Sequence, residues 1–256
     1  MYGAKWLEGH MDTKRTTNHT TKDCHQNSSQ ISKMEDTKIK QSNHKDRFVH
    51  LHLHDTYSFV DGFGTPEQYS KKCAELGQSA MATTNHGNVS SHFKWYKECR
   101  KRNIKPILGC EMYLVESAKQ IEEKQREYNH ITVLAKNNKG YKNLLKLVTK
   151  SWLENFYYKP RITLDELKEN QEGLIILSGC LSGRVARMIT EGKSDNDIVK
   201  EIEMQRKAFD DYYIEVAPLS FLEGKNAITK LYGLAKRMKI PMVGTMDCHY
   251  VEKKHS

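Results

Sequence analysis

The chain has 256 residues, with 41 basic side chains against 32 acidic ones and a formal net charge of +9, a balance that favours anionic partners such as nucleic acid. It contains no run of about 18 apolar residues and no apolar N-terminal region, so neither a membrane span nor a secretory signal is expected. The cysteines (Cys24, Cys73, Cys99, Cys110, Cys180, Cys248) form no CxxC pair and read as cytosolic thiols, which places the chain in the cytoplasm rather than among disulfide-stapled proteins.

Residues 1–46 are rich in Lys, Thr, Asn, Gln, Ser and Asp and almost free of branched aliphatics. Such a segment buries too little apolar surface to offset its ordering entropy. It is expected to be a disordered, dispensable polar tail. Its opening, MYGAKWLEGHM, reads as an expression scar or a misassigned start, with Met34 as an alternative start. Residues 47–256 form the expected folded domain.

From Phe48 onward, short runs of β-formers alternate with amphipathic stretches. The runs are 48–53, 79–84, 106–115, 130–135, 173–178, 212–216 and 240–245. Helical spacing appears at 66–76, which opens with Pro66, and again at 91–102, 141–153, 196–209 and 224–238. This alternation predicts an α/β fold with a parallel sheet and crossover helices. No glycine-rich phosphate loop follows the first run, which disfavours a nucleotide-binding sheet. Polar residues instead fall at the ends of many different strands, as in a closed barrel.

The densest chemistry is HLHLHD, His50 to Asp55. Alternate residues of a regular strand share a face, so His50, His52 and His54 would project together, His50 being the best candidate for a purely structural role. Two neutral imidazoles at that spacing can chelate one ion. Further candidates follow where runs end: Asp61 in VDGFG, His86 in TTNHGN, Glu111 in ILGCEMY, Cys180 in LSGC, and Asp247 with His249 in TMDCHY. His130 begins its run, so the strand-end rule does not predict it. A mixed imidazole, carboxylate and thiolate set suits Zn, Mn or Fe better than Mg or Ca.

The stretches RFVHLHLHDTYSFVDG, NHGN, IKPILGCEMY, HITVLAKNNKGYKNLLKLV, FYYKPRI, LSGCLSGRV and DCHY run in that order to the end of the chain. Together they resemble the PHP (polymerase and histidinol phosphatase) domain of bacterial DNA polymerase III alpha subunits of the DnaE type. The resemblance implies a distorted seven-stranded (β/α) TIM-like barrel. It also implies two to three divalent ions (Mn, Zn or Fe) on nine ligands: His52, His54, Asp61, His86, Glu111, His130, Cys180, Asp247 and His249. Asp247, His249 and His54 are the expected catalytic members.

The implied activity is a metal-dependent phosphoesterase, a 3′–5′ exonuclease that removes misincorporated nucleotides in DNA replication. Its partners would be single-stranded DNA or a primer 3′ end, and components of the replication polymerase. Lys159 and Arg161 in YYKPR are candidates for contact with backbone phosphate. The chain is too short to hold a polymerase palm as well. Two other readings fit the same residues: a noncatalytic, metal-stabilised docking module, and a free-standing phosphatase of the histidinol phosphate kind. Two departures from the family pattern stand out. Asn85 replaces the usual Asp before the histidine, which predicts a weaker acceptor orienting a neighbour. APLSFLEG replaces a polar turn after YYIEV.

Overall fold

The computed structural model describes residues 48–59, 61–218, 222–252 and 254. The expected polar tail therefore lies outside the described residues, as does part of the APLSFLEG stretch.

In chain order the elements are α1 (Pro66–Glu75), β1 (Ala80–Thr83), α2 (His92–Lys101), β2 (Lys105–Val115), α3 (Ala118–Glu122), β3 (Asn129–Ala135), α4 (Asn138–Leu153), β4 (Phe156–Tyr157) and β5 (Lys159–Thr163). They continue with α5 (Leu164–Glu169), β6 (Leu174–Leu177), α6 (Arg184–Thr190), α7 (Asp195–Ala208), β7 (Tyr212–Val216), α8 (Leu222–Arg237) and β8 (Met242–Gly244). Local chemistry sets several of the boundaries. Thr65 and Gln68 form a reciprocal capping box around Pro66 at the start of α1. Asn137 caps α4 by accepting from Gly140 N, so that helix begins three residues before its expected apolar pattern.

The strands form one curled, mixed sheet of the distorted TIM-like barrel type, in the order β4-β5-β2-β3-β6-β7-β8, with β1 also paired to β2. β2 is long enough to serve two neighbours on one side. Its first half pairs with β1 and its last residues pair with β5. The sheet is not all parallel, contrary to the expectation from the alternation. β3 runs antiparallel to both β2 and β6. The β4–β5 hairpin was also not foreseen; Tyr158 turns its tip at φ 59°, and Pro160 lies within β5.

The first expected strand, 48–53, is not regular. It bends at His52 and makes isolated bridges, His50 to Met81 on one side and Leu53 to Cys248 on the other. His54 N donates to Cys248 O and Ala82 N to His50 O. This segment thereby lies between β1 and the chain after β8 and joins the two edges of the sheet. The bend also breaks the alternation: Leu51 packs with Ala80 and Ala82, whereas Leu53 packs with Met81 and Trp95.

The main core lies between the sheet and its helices. It includes Met112, Ile131, Val133 and Ile176 from strands and Leu147, Ile202 and Leu231 from helices. A smaller cluster holds Ala80, Ala82, Ile107, Leu134, Leu177 and Val243. Ile107, Leu134, Leu177 and Val243 each lie three or four residues along the chain from a candidate ligand. They close one end of the curled sheet and leave the polar groups at the other.

Candidate metal centre

The nine residues marked by the resemblance come together at one mouth of the sheet. Glu111, in β2, is their hub and is almost fully buried. Its Oε1 lies 3.2 Å from His52 Nε2 and 2.9 Å from His130 Nδ1, and its Oε2 lies 2.6 Å from His86 Nδ1. Cys180 Sγ stands 3.5 Å from the same Oε1. Asp247 Oδ1 lies 3.3 Å from both His52 Nε2 and His54 Nε2. Asp61 Oδ2 is 3.1 Å from His86 Nε2 and 3.9 Å from His249 Nε2. The His249 ring stacks on His54 at 4.4 Å between centroids.

His130 reaches this mouth from the beginning of its strand because β3 is antiparallel to its neighbours. The start of β3 is therefore level with the ends of the others. Asp247 adopts φ 46°, in the left-handed region that Asp tolerates better than most residues, which turns the chain between β8 and His249.

Three groups of side chains have ligand atoms close enough to share an ion: His52/His54/Asp247, His86/Glu111/His130 and His54/His86/His249. Hydrogen bonding fixes what the first group offers. Glu215, buried in β7, lies 2.6 Å from His52 Nδ1 and also accepts from Thr132 and Thr245. A carboxylate only accepts, so His52 Nδ1 carries a proton, and Nε2 is the nitrogen left to face an ion, or a competing second proton when none is bound. Ser58 Oγ donates to Asn85 Oδ1, so it accepts from His54 Nδ1 at 2.8 Å, and His54 Nε2 is likewise left to face an ion. The orientation of Asn85 is fixed in turn, because Asp55 N donates to its Oδ1 and its Nδ2 donates to Asp55 Oδ1.

The two imidazole Nε2 atoms thus face each other at 3.0 Å, with a carboxylate oxygen 3.3 Å from each. That arrangement calls for a cation. The same conclusion comes from the buried polar atoms without a hydrogen-bond partner among the described residues: of the five, His86 Nδ1, Glu111 Oε2, His130 Nδ1 and Asp247 Oδ1 belong to this cluster. Their close contacts have the wrong angles for hydrogen bonds, as suits atoms aimed at a shared ion.

In the metal-free site a proton takes part of that role. Burial opposes charge on His52, yet Glu215, Asp247 and Glu111 outweigh it and hold its pKa well above the ordinary value. Burial pushes His54 down to about 4, against the pull of Asp247 and Glu111. Glu111 stays far below the ordinary carboxylate range; burial opposes this, but His52, His130 and His86 prevail. Burial and the nearby carboxylates Glu111, Asp247 and Glu215 raise the Cys180 thiol well above its usual value, so without an ion it is protonated.

Three other placements differ in kind. His50 does not join His52 and His54; the bend turns it against Phe48 and Cys248 Sγ, the latter at 3.3 Å. Arg161 is fully buried, and its guanidinium donates to the carbonyls of Asn155, Gln120 and Gln125. A side chain so committed holds the hairpin and is not offered to a phosphate, which corrects the expectation for that residue. Lys159 is exposed, with Nζ 5.2 Å from the centre of the Tyr113 ring. Glu215 was missed altogether. The available signal was a lone carboxylate between Ile214 and Val216 in an otherwise apolar strand.

Fold and site define a protein of the PHP class, and the chain belongs to that family: residues 50–219 match the PHP domain. Its relatives include the DNA polymerase III subunit alpha of Treponema pallidum, 38% identical over 82% of this chain, and that of Borreliella burgdorferi, 36% identical over 82%. The subunit of Aquifex aeolicus is 36% identical over 80% of the chain. The chain spans only 18–19% of the length of these relatives. Among solved structures, a Bifidobacterium adolescentis protein assigned to the metal-dependent phosphoesterases shares the fold (TM-score 0.55, 13% identity, 80% of this chain and 88% of that one). An amidohydrolase from Chromobacterium violaceum shares it too (TM-score 0.52, 15% identity, 78% and 87%). No helix among the described residues is long and apolar enough to cross a membrane.

Proposed function

We propose that this PHP domain is a metal-dependent phosphoesterase that shortens single-stranded DNA from its 3′ end, as a proofreading exonuclease associated with a replicative polymerase. The observation that carries the reading is the pair of converging imidazole Nε2 atoms of His52 and His54 facing Asp247 Oδ1. The ligands proposed for two to three ions of Mn, Zn or Fe are His52, His54, Asp61, His86, Glu111, His130, Cys180, Asp247 and His249. Bound ions of this kind acidify a water and neutralise charge on a phosphodiester and its leaving oxygen.

The protein's own groups prepare that chemistry. Glu215 holds His52 in the tautomer that presents Nε2, and the Asn85–Ser58 pair does the same for His54. Glu111 sets one oxygen on the His52/His130 side and the other beside His86, so both sides of the cluster would draw on its carboxylate. Asp61, nearly half exposed, stands on the open side of the cluster, where a phosphate can enter.

The test is a metal-reconstituted protein given 5′-labelled and 3′-labelled oligonucleotides in parallel, with small phosphate monoesters as comparison. A ladder of shortened 5′-labelled strands with early release of the 3′ label supports the reading. Full metal occupancy with no cleavage of any phosphoester would instead favour a structural docking module.

A further inference from the structure

Beside the cluster lies a set of aromatic rings that leave much of their surface exposed. Trp152, at the end of α4, and Phe156, in β4, stack with centroids 5.3 Å apart and planes 17° apart. Each keeps about half of its surface exposed, 47% and 49%. The pair is tied directly to the site: Trp152 Nε1 donates to Gly87 O at 2.7 Å, and Gly87 follows the ligand His86. Gly87 itself, at φ +60°, leaves no room for a side chain, since a Cβ there would meet Pro160 at 2.5 Å and Tyr113 at 3.0 Å. The α4–β5 corner is therefore seated on the ligand loop.

A cation stands on the same corner. Lys159 Nζ lies over Tyr113, whose ring stacks on His86 at 6.2 Å and meets His130 edge-on at 5.3 Å. Further along the hairpin, Arg126 covers the ring of Tyr158, which is 61% exposed. Exposed flat rings interleaved with basic groups suit a strand whose bases are unpaired and whose backbone is anionic. An apolar peptide would match the rings but leave Lys159 without a counter-charge.

We propose that Trp152, Phe156 and Lys159 form a landing platform for the unpaired bases and backbone of a single-stranded nucleic acid end, delivering its terminal phosphodiester to the cluster around His86. The inference rests on the phosphoesterase reading for its purpose, but binding can be measured without turnover. Stacking requires unpaired bases, so a blunt duplex of equal length should bind more weakly than a single strand. The platform uses ring faces rather than base edges, so it is tolerant of sequence.

The experiment is fluorescence anisotropy of a labelled oligo(dT) with the metal-free protein, where no cleavage competes. Phe156→Ala and Lys159→Ala should each weaken binding, the first by about tenfold, the usual effect of removing one stacking ring. Trp152→Phe keeps a ring face and should retain most of the affinity, whereas Trp152→Leu should lose it. In a Trp6→Phe background, where Trp95 is fully buried, the emission of the exposed Trp152 should be quenched by the oligonucleotide. Melting temperature and metal content of each variant separate misfolding from loss of the platform; the half-exposed Phe156 is the safer position. Unchanged affinity in folded Phe156→Ala and Trp152→Leu proteins would overturn the platform, as would equal affinity for a blunt duplex. Normal platform behaviour with no phosphoester cleavage under any metal would overturn the phosphoesterase reading and leave the platform standing.

Discussion

Replacing Glu215 by Gln removes one charge from beneath the metal site and little else. Oε1 of Glu215 accepts from His52 Nδ1 at 2.6 Å and Thr245 Oγ1 at 2.7 Å, and Oε2 accepts from Thr132 Oγ1 at 3.1 Å. A glutamine can keep its oxygen toward His52 and Thr245 and turn its amide toward Thr132, whose hydroxyl can rotate to accept. The side chain keeps its size and the bonds to His52 and Thr245, so the domain should fold. What is lost is the ionised acceptor that holds His52 Nδ1–H. A hydrogen bond to a charged group contributes about 1.5–3 kcal/mol, and loss of such an outer carboxylate typically lowers metal affinity about 10- to 100-fold. The assay is Mn titration by calorimetry or chelator competition at several pH values. Because the apo His52 pKa lies well above its ordinary value, a proton competes with the metal, and apparent affinity should rise with pH through the neutral range. Burial opposes the charge on His52 and Glu215 is the foremost group favouring it, so Glu215→Gln should lower that pKa and flatten the pH dependence while weakening binding at high pH. An affinity within twofold of wild type at high pH, with the same pH slope, would refute the role given to Glu215.

Four further outcomes are expected. The His52→Ala/His54→Ala double variant should lose at least one ion per chain by elemental analysis, and added Mn should no longer raise its melting temperature as much as it does for wild type. Asp247→Asn should abolish Mn-dependent shortening of single-stranded DNA, while oligonucleotide affinity, carried mainly by cations and rings, should fall far less. Arg161→Ala should cost about 2–4 kcal/mol in urea denaturation, because the carbonyls of Gln120, Gln125 and Asn155 lose their shared donor. His92, buried on α2 with Nε2 on Gly109 O, has its pKa pushed down to about 4 by burial. The unfolded chain therefore takes up a proton near pH 6.5 that the folded one refuses, so stability present above pH 6.5 is lost as pH falls toward 4. Between pH 7 and pH 5 the metal-free protein should lose about 2 kcal/mol from this group, a loss that His92→Gln removes.

Much of this site was legible because imidazole and carboxylate side chains are chemically conspicuous against an apolar strand. His52 and His54, Glu111, and the Asp247–His249 pair all interrupt or end runs of β-formers, and the strand-end pattern alone brought most of the set to one mouth. His130 needed the resemblance, since its position at a strand start makes sense only once β3 is known to run antiparallel, and strand direction leaves no mark on a run such as HITVLA. Glu215 left a faint trace, one carboxylate inside YYIEV, which reads equally well as an outward-facing residue. Arg161 misled for a related reason: a basic residue in a hairpin has the same letter whether it faces solvent or three carbonyls. The five long helices were read closely, whereas α5 and α6, of six and seven residues, are too short to display a helical period.

The joining of the two sheet edges by the 50–54 segment bears on the order of events during synthesis. That segment leaves the ribosome long before one of its neighbours, the chain at Cys248 and His249. Until then His52 and His54 have β1 beside them but no Asp247, and Glu215 arrives only shortly before. Until Glu215 and Asp247 are made, the cluster of imidazoles around Glu111 and the Cys180 thiol is incomplete. A metal captured in that interval meets a different donor set from the finished site. Were an ion bound at that stage, the order of synthesis would bear on which ion is held, and protein refolded from denaturant amid competing ions need not carry the same ions as protein made in the cell.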